Sequence, residues 1–134
     1  MDASQLKKIS IFADASEEDL KVVSTFATLE EAEAGSTVVK EGDFANHFLA
    51  IEEGEARVLR GDEQIGTLGT GDIFGEVGVI EKESRTATVE AVTRLRLIKI
   101  EHWELQRMKK VAPELYARIE RLAEQRRGGG DDAA

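Results

Sequence analysis

The chain has no cysteine, so neither a disulfide framework nor a thiolate metal site can be built from it. It has one proline and two histidines in 134 residues. Those histidines, His47 and His102, stand far apart in sequence without the clustered partners of a metal site. No apolar run approaches the roughly 20 residues that cross a bilayer, and the opening MDASQLKKIS lacks the long apolar core of a secretory signal. A cytoplasmic chain with no metal, no cofactor and no membrane contact is the expectation. Positive charge is scarce too: 18 Lys and Arg face 27 Asp and Glu, a net charge of −9. Non-specific nucleic-acid binders gain affinity by neutralising phosphates, so direct nucleic-acid binding is not expected of so acidic a chain. No nucleophile has a plausible base beside it and no Ser/His/Asp set is apparent, so an enzyme is not expected either. Any small anion that binds must be held by local groups that override the field of the whole molecule.

What is present is a soluble globular balance, 41% hydrophobic and 34% charged, at a length that suits one domain. Residues 1–28 read as a helical lead. Leu6, Ile9 and Phe12 are available to pack inward, and a break at Asp14 and Ala15 precedes Ser16, a good N-cap with Asp19 three residues on. Leu20, Val23 and Ala27 share a helical stripe, with Val22 and Phe26 beside it.

Over residues 29–100 short β-rich runs are punctuated by glycine: STVVKEGD, HFLAIEEGEARVLRG, EQIGTLGTGD and TATVEAVTRLRLIKI. That spacing predicts an antiparallel barrel or jelly roll, a mainly β fold with flanking helices. Residues 101–127 return to the helical period, as one or two C-terminal helices. EHWELQRMKKVA reads as one helix ended by Pro113, which then suits the first turn of a second helix carrying Leu115, Ile119 and Leu122. Gly128, Gly129 and Gly130 are expected to stop it, leaving residues 128–134 as a flexible tail or linker. Trp103 and Phe48 read as core aromatics.

One run resists explanation by packing alone: FGEVGVIEKESRTATV, from Phe74 to Val89. Gly75 allows close backbone approach, and GEVGVI can form a short helical turn whose N–H groups suit a phosphate. The planar fork of Arg85 can pair with two phosphate oxygens. Glu76 can accept from a sugar hydroxyl, which a cation there cannot do. Taken singly, a Gly-Glu turn or an arginine beside glutamates is ordinary surface structure.

The whole run resembles the phosphate-binding cassette of cyclic nucleotide-binding domains, the sensor type of catabolite activators and protein kinase A regulatory subunits. Phe74, Gly75, Glu76, Val77, Gly78, Val79 and Ile80 match that pattern in order, and Arg85, Thr86, Ala87 and Val89 follow at its usual separation. Upstream, EGD at residues 41–43, FLAIEEGEARV at residues 48–58 and GTGDIFGE fit as well. The resemblance implies an antiparallel β-jelly roll (double-stranded β-helix) with helices at both ends. It implies a ligand site of Phe74, Gly75, Glu76, Val77, Gly78, Arg85, Thr86 and Ala87, in which Arg85 neutralises the cyclic phosphate and Glu76 holds the ribose 2′-hydroxyl. Val58, Ile65 and Val77 are the implied apolar walls around the base.

The implied ligand is cyclic AMP, favoured, or cyclic GMP, since threonine at Thr86 admits either. The implied mechanism is a sensor that repositions residues 102–127 about Pro113. Tyr116, Ile119 and Leu122 are candidates for a lid, against a simpler role as core. Ser84 replaces a proline common in relatives, and Arg85 and Thr86 are expected to precede a strand beginning near Ala87.

Three alternatives remain at this stage. The chain is the sensor part of a transcription regulator, whose helix-turn-helix is not encoded up to Ala134; or a degenerate jelly-roll interaction scaffold; or a sugar- or metal-binding jelly-roll enzyme, which the missing histidine cluster disfavours. The implied partners are the cyclic nucleotide and an unidentified effector, with a monomer or weak dimer as the expected state.

Overall fold

The computed structural model describes residues 1–81 and 84–129, with the side chains of residues 81 and 127–129 left undescribed. Helix α1 (Ala3–Leu6), a 3-10 turn (Ser10–Phe12) and α2 (Glu17–Ser24) lead into eight strands. These are β1 (Thr28–Ala32), β2 (Thr37–Val39), β3 (His47–Glu53), β4 (Ala56–Arg60), β5 (Glu63–Leu68), β6 (Ile73–Phe74), β7 (Thr88–Ala91) and β8 (Leu95–Glu101). A short α3 (Glu76–Glu81) interrupts them between β6 and β7, and α4 (His102–Val111) and α5 (Pro113–Gly129) follow. The strands form two antiparallel four-stranded sheets, ordered β1-β8-β3-β6 and β2-β7-β4-β5, the expected jelly roll.

Two apolar clusters organise the molecule. Leu49, Ile51, Val58, Phe74, Val89, Leu95 and Leu97 fill the space between the sheets. Phe48, Ala50, Ile73, Ile98 and Ile100 point the other way, against Leu6, Ile9, Phe12, Leu20, Leu105, Met108, Leu115 and Ile119 of the helices. The first sheet is therefore covered on both faces. That is why β3 reads HFLAI as a nearly continuous apolar run, where one wet face would impose alternation. At the edge of this double cover a β-bulge between Ile51 and Glu53 re-aims the chain. The Glu52 carboxylate, left buried, meets Gln5 Nε2 at 3.4 Å and Lys8 Nζ at 3.4 Å, which ties the lead segment to the sheet.

The local signals act as their chemistry requires. Ser16 Oγ accepts from Asp19 N at 3.1 Å to start α2. Pro113 opens α5 directly after the non-helical Ala112.

Two expectations are corrected. Trp103 is not a core residue. It stands on the outer face of α4 with 56% of its surface exposed, because Leu105 and Met108 take the inward stripe. The glycines do not end the last helix at position 128 either. Helix α5 continues through Gly129, because glycine costs a helix only about 1 kcal/mol per residue and prior turns are already propagating. The rest of the expected tail, residues 130–134, lies outside the described residues.

Tyr116 and Ile119 are buried among the helices with Leu122 packed against them, so the core role, not a separate lid, describes their placement. No helix among the described residues is long and apolar enough to cross a membrane, and no cluster of potential metal ligands occurs among them.

Candidate functional site

The site forms where β6 ends. Gly75 has φ of +87°, a left-handed conformation that an L side chain resists, and it turns the chain from Phe74 into α3. Its carbonyl accepts twice, from Val79 N at 3.3 Å as α3 begins and from Arg85 Nη1 at 3.1 Å. The turn that starts the helix thus also grips the arginine ten positions on. Phe74 and Val79 anchor the segment in the two apolar clusters, and Val77 and Gly78 are buried beside them in sequence.

Arg85 is only 4% exposed. It lies just before β7, as do Thr86 and Ala87, so the pair precedes the regular strand as expected. Its main chain is clamped to the turn before β3: Arg85 N donates to Asp43 O at 2.8 Å, and Gly42 N donates to Arg85 O at 2.9 Å. The second arm of the guanidinium donates from Nη2 to His47 O at 2.6 Å. Backbone carbonyls from two elements therefore fix the plane of the fork. Burial lowers the affinity of this guanidinium for its proton, and the nearby carboxylates of Glu76 and Asp43 work against that.

Glu76, the first residue of α3, is fully buried. Burial pushes its carboxyl above the usual range, against the opposing pull of Arg126, its own backbone N–H and Arg85. Oε1 accepts from Arg126 Nη1 at 2.7 Å, and the same nitrogen donates to Ile73 O at 2.6 Å. The other oxygen, Oε2, is buried with no hydrogen-bond partner among the described residues. The Thr86 hydroxyl is in the same condition. A buried polar atom without a partner costs about 1–3 kcal/mol, and here two of them belong to one cassette.

The structure brings Phe74, Gly75, Glu76, Val77, Gly78, Arg85, Thr86 and Ala87 together as one segment folded on itself. Val58 lies in the apolar layer between the sheets, paired with Val89. Ile65 stays apart from that layer, 38% exposed on β5.

Three participants were not anticipated: Asp43 and His47, which hold Arg85 through their carbonyls, and Arg126. Backbone acceptors leave no trace in residue type. Arg126 did leave one. It continues the stripe Leu115, Ile119, Leu122 at helical spacing, and a cation on a buried stripe requires an anion to meet it.

The family model described as "Cyclic nucleotide-binding domain" matches residues 29–110. The chain belongs to the cyclic nucleotide-binding domain family. Among curated relatives, a cAMP-dependent protein kinase regulatory subunit of Schizosaccharomyces pombe is 48% identical over 66 residues, which is 48% of this chain and 16% of that protein. A cyclic nucleotide-gated potassium channel of Rhizobium etli is 32% identical over 96 residues, covering 72% of this chain and 27% of that protein. The chain thus spans well under a third of either relative. The catabolite activator protein of Thermus thermophilus superposes with a TM-score of 0.81 at 19% identity, over 91% of this chain and 60% of that one. At that identity the likeness is one of fold. Membership makes this a cyclic nucleotide-binding domain in class.

Proposed function

We propose that this chain binds a purine cyclic nucleotide, cyclic AMP in preference to cyclic GMP, and that binding is coupled to the position of α5. The single observation behind this is the pair of buried polar atoms without partners, Glu76 Oε2 and Thr86 Oγ1, on the same cassette as Arg85. A carboxylate oxygen accepts from a sugar hydroxyl, and a threonine hydroxyl both donates and accepts. A cyclic nucleotide carries a hydroxyl for the first, an anionic phosphodiester for Arg85 and acceptor atoms for the second. Both orphans would thereby be satisfied by one molecule that also brings an anion to the guanidinium. A single hydroxyl contact contributes about 0.5–1.5 kcal/mol net, so Thr86 shades the choice of base without deciding it absolutely.

The coupling to α5 runs through Glu76. Its Oε1 is held by Arg126 of that helix, while its Oε2, buried without a partner, is the atom offered to the ribose hydroxyl. A ligand shifts a two-state equilibrium only when it contacts one state better, and this carboxylate is shared by ligand and helix. An effector, within the same polypeptide or separate, is the proposed recipient of the change.

Calorimetric titration of the chain with cyclic AMP and cyclic GMP side by side tests the proposal. Saturable one-to-one binding, tighter for cyclic AMP, is expected. Absence of heat and of any thermal stabilisation with both nucleotides would leave the interaction-scaffold alternative in its place.

A further inference from the structure

His47 opens β3 opposite Glu101 of β8, half-buried, with its main-chain carbonyl accepting from Arg85 Nη2 at 2.6 Å. Its ring is held as well: Nδ1 lies 2.6 Å from Asn46 Oδ1, so that nitrogen donates and Nε2 is left as the site of protonation. The segment is fixed from behind, where Asn46 O accepts from His102 N at 2.9 Å and meets His102 Nδ1 at 3.2 Å. The imidazole is therefore carried by the residue whose carbonyl grips the buried guanidinium, and the charge of Arg85 reaches it.

We propose that His47 is a positioning residue of the anion site, its main chain aiming Arg85 and its imidazole taking up a proton when a phosphodiester docks there. This rests on the cyclic-nucleotide reading of the site. Without an anion, burial and then the charge of Arg85 lower the affinity of His47 for its proton. Lys99 of β8 acts in the same direction, and Glu101 of β8 and Glu30 of β1 oppose it. At neutral pH the imidazole is neutral. An anion on Arg85 cancels the repulsion that the guanidinium exerts, so the ring gains a proton and its charge adds to the hold on phosphate.

The sign follows from linkage: binding that takes up a proton strengthens as pH falls. A phosphodiester has no second ionisation in this range, which leaves His47 and the buried Glu76 as the site's titrating groups. Replacing His47 separates them.

The test is calorimetric titration of the full chain with cyclic AMP between pH 5.5 and 8, in buffers of different ionisation heat, for the wild type and His47→Gln. Every unit by which binding raises the imidazole's pKa is tenfold in affinity at low pH. The wild type is expected to tighten by about three- to tenfold from pH 7.5 to 5.5, with net proton uptake. In His47→Gln the uptake should vanish, and any slope left should run the other way, binding tightening as pH rises, because the ligand favours the ionised form of Glu76.

Because the chain has only two histidines, imidazole NMR signals of the wild type give a second readout that needs no variant. The titration midpoint of His47 should rise on saturation with cyclic AMP. Binding with no proton uptake and an unmoved His47 midpoint overturns the inference while leaving the proposed function intact. A wild-type slope retained in His47→Gln overturns it as well. Failure to bind either nucleotide overturns both.

Discussion

Replacing Arg126 by methionine keeps most of the side chain's length and removes its charge, leaving Glu76 buried without its cation. Two contacts go: the 2.7 Å bond to Glu76 Oε1 and the 2.6 Å bond to Ile73 O. Breaking a buried pair by removing one partner costs about 3–5 kcal/mol, and the site is dry enough for that range to apply. The Glu76 side chain is fully buried and that of Arg126 is 13% exposed.

The carboxylate has an escape, however, because it can take a proton. Keeping a carboxyl protonated above its unfolded value of about 4.3 costs about 1.36 kcal/mol per pH unit. The charge-dependent loss is therefore capped near 2.3 kcal/mol at about pH 6 and reaches the full range only near about pH 8. The sign agrees with the direction of the shift. A carboxyl raised in the folded state contributes stability below its unfolded value and loses it as pH rises through the folded one. Arg126 opposes that rise, so its removal steepens the decline.

Urea unfolding followed by circular dichroism should show Arg126→Met less stable by about 3–5 kcal/mol at pH 8 and by about 1.5–3 kcal/mol at pH 4.5, where the guanidinium's hydrogen bond to the Ile73 carbonyl is what remains to lose. In a Glu76→Gln background the pH dependence of the Arg126 substitution should disappear. A loss that is the same at both pH values, or below about 1 kcal/mol at pH 8, would refute the buried-pair account.

The other expectations are more direct. Arg85→Ala should weaken cyclic AMP binding by about 1.5–3 kcal/mol or more, and Arg85→Lys should fail to restore it because a point charge cannot replace a fork held by two carbonyls; titration of the two variants checks both. Saturating cyclic AMP at about 100 times its dissociation constant should add about 2.7 kcal/mol to the unfolding free energy, read as a rise in melting temperature. Far from the site, Gly54 has φ of +118°, and a Cβ there would lie 2.6 Å from Arg94 O. Gly54→Ala should therefore lower stability by about 1–3 kcal/mol, and unchanged thermal unfolding would show that the turn relaxes freely.

Most of the fold was legible because local signals and burial agree. Ser16, the glycine turns and Pro113 each punctuate the chain where their chemistry demands. Leu6, Ile9, Phe12, Leu20 and Val23 lie in the core as their stripes imply. The turn that opens the cassette was legible as well, since Gly75 at positive φ is the residue type that the geometry requires. What escaped depends on tertiary partners. Trp103 is large and apolar, yet α4 turns Leu105 and Met108 inward, and residue type alone does not give a helix its rotation. Asp43 and His47 serve Arg85 with backbone carbonyls, which every residue possesses.

Arg126 shows how the apolar stripe of a helix can carry information about a site in another element. Leu115, Ile119 and Leu122 bury one face of α5, and the next position on that face is a cation. A buried guanidinium is tolerable only against an anion, and Glu76, itself raised by burial, is tolerable only against a cation. Neither residue satisfies the other completely, because Oε2 of Glu76 is left over. The pair ties α5 to α3 and leaves one buried acceptor over. A ligand that donates a hydroxyl to that acceptor stabilises the ionised carboxylate, and the ionised carboxylate is the form that holds Arg126. On the proposed reading, occupancy of the site and docking of the last helix favour each other, with equal coupling in both directions.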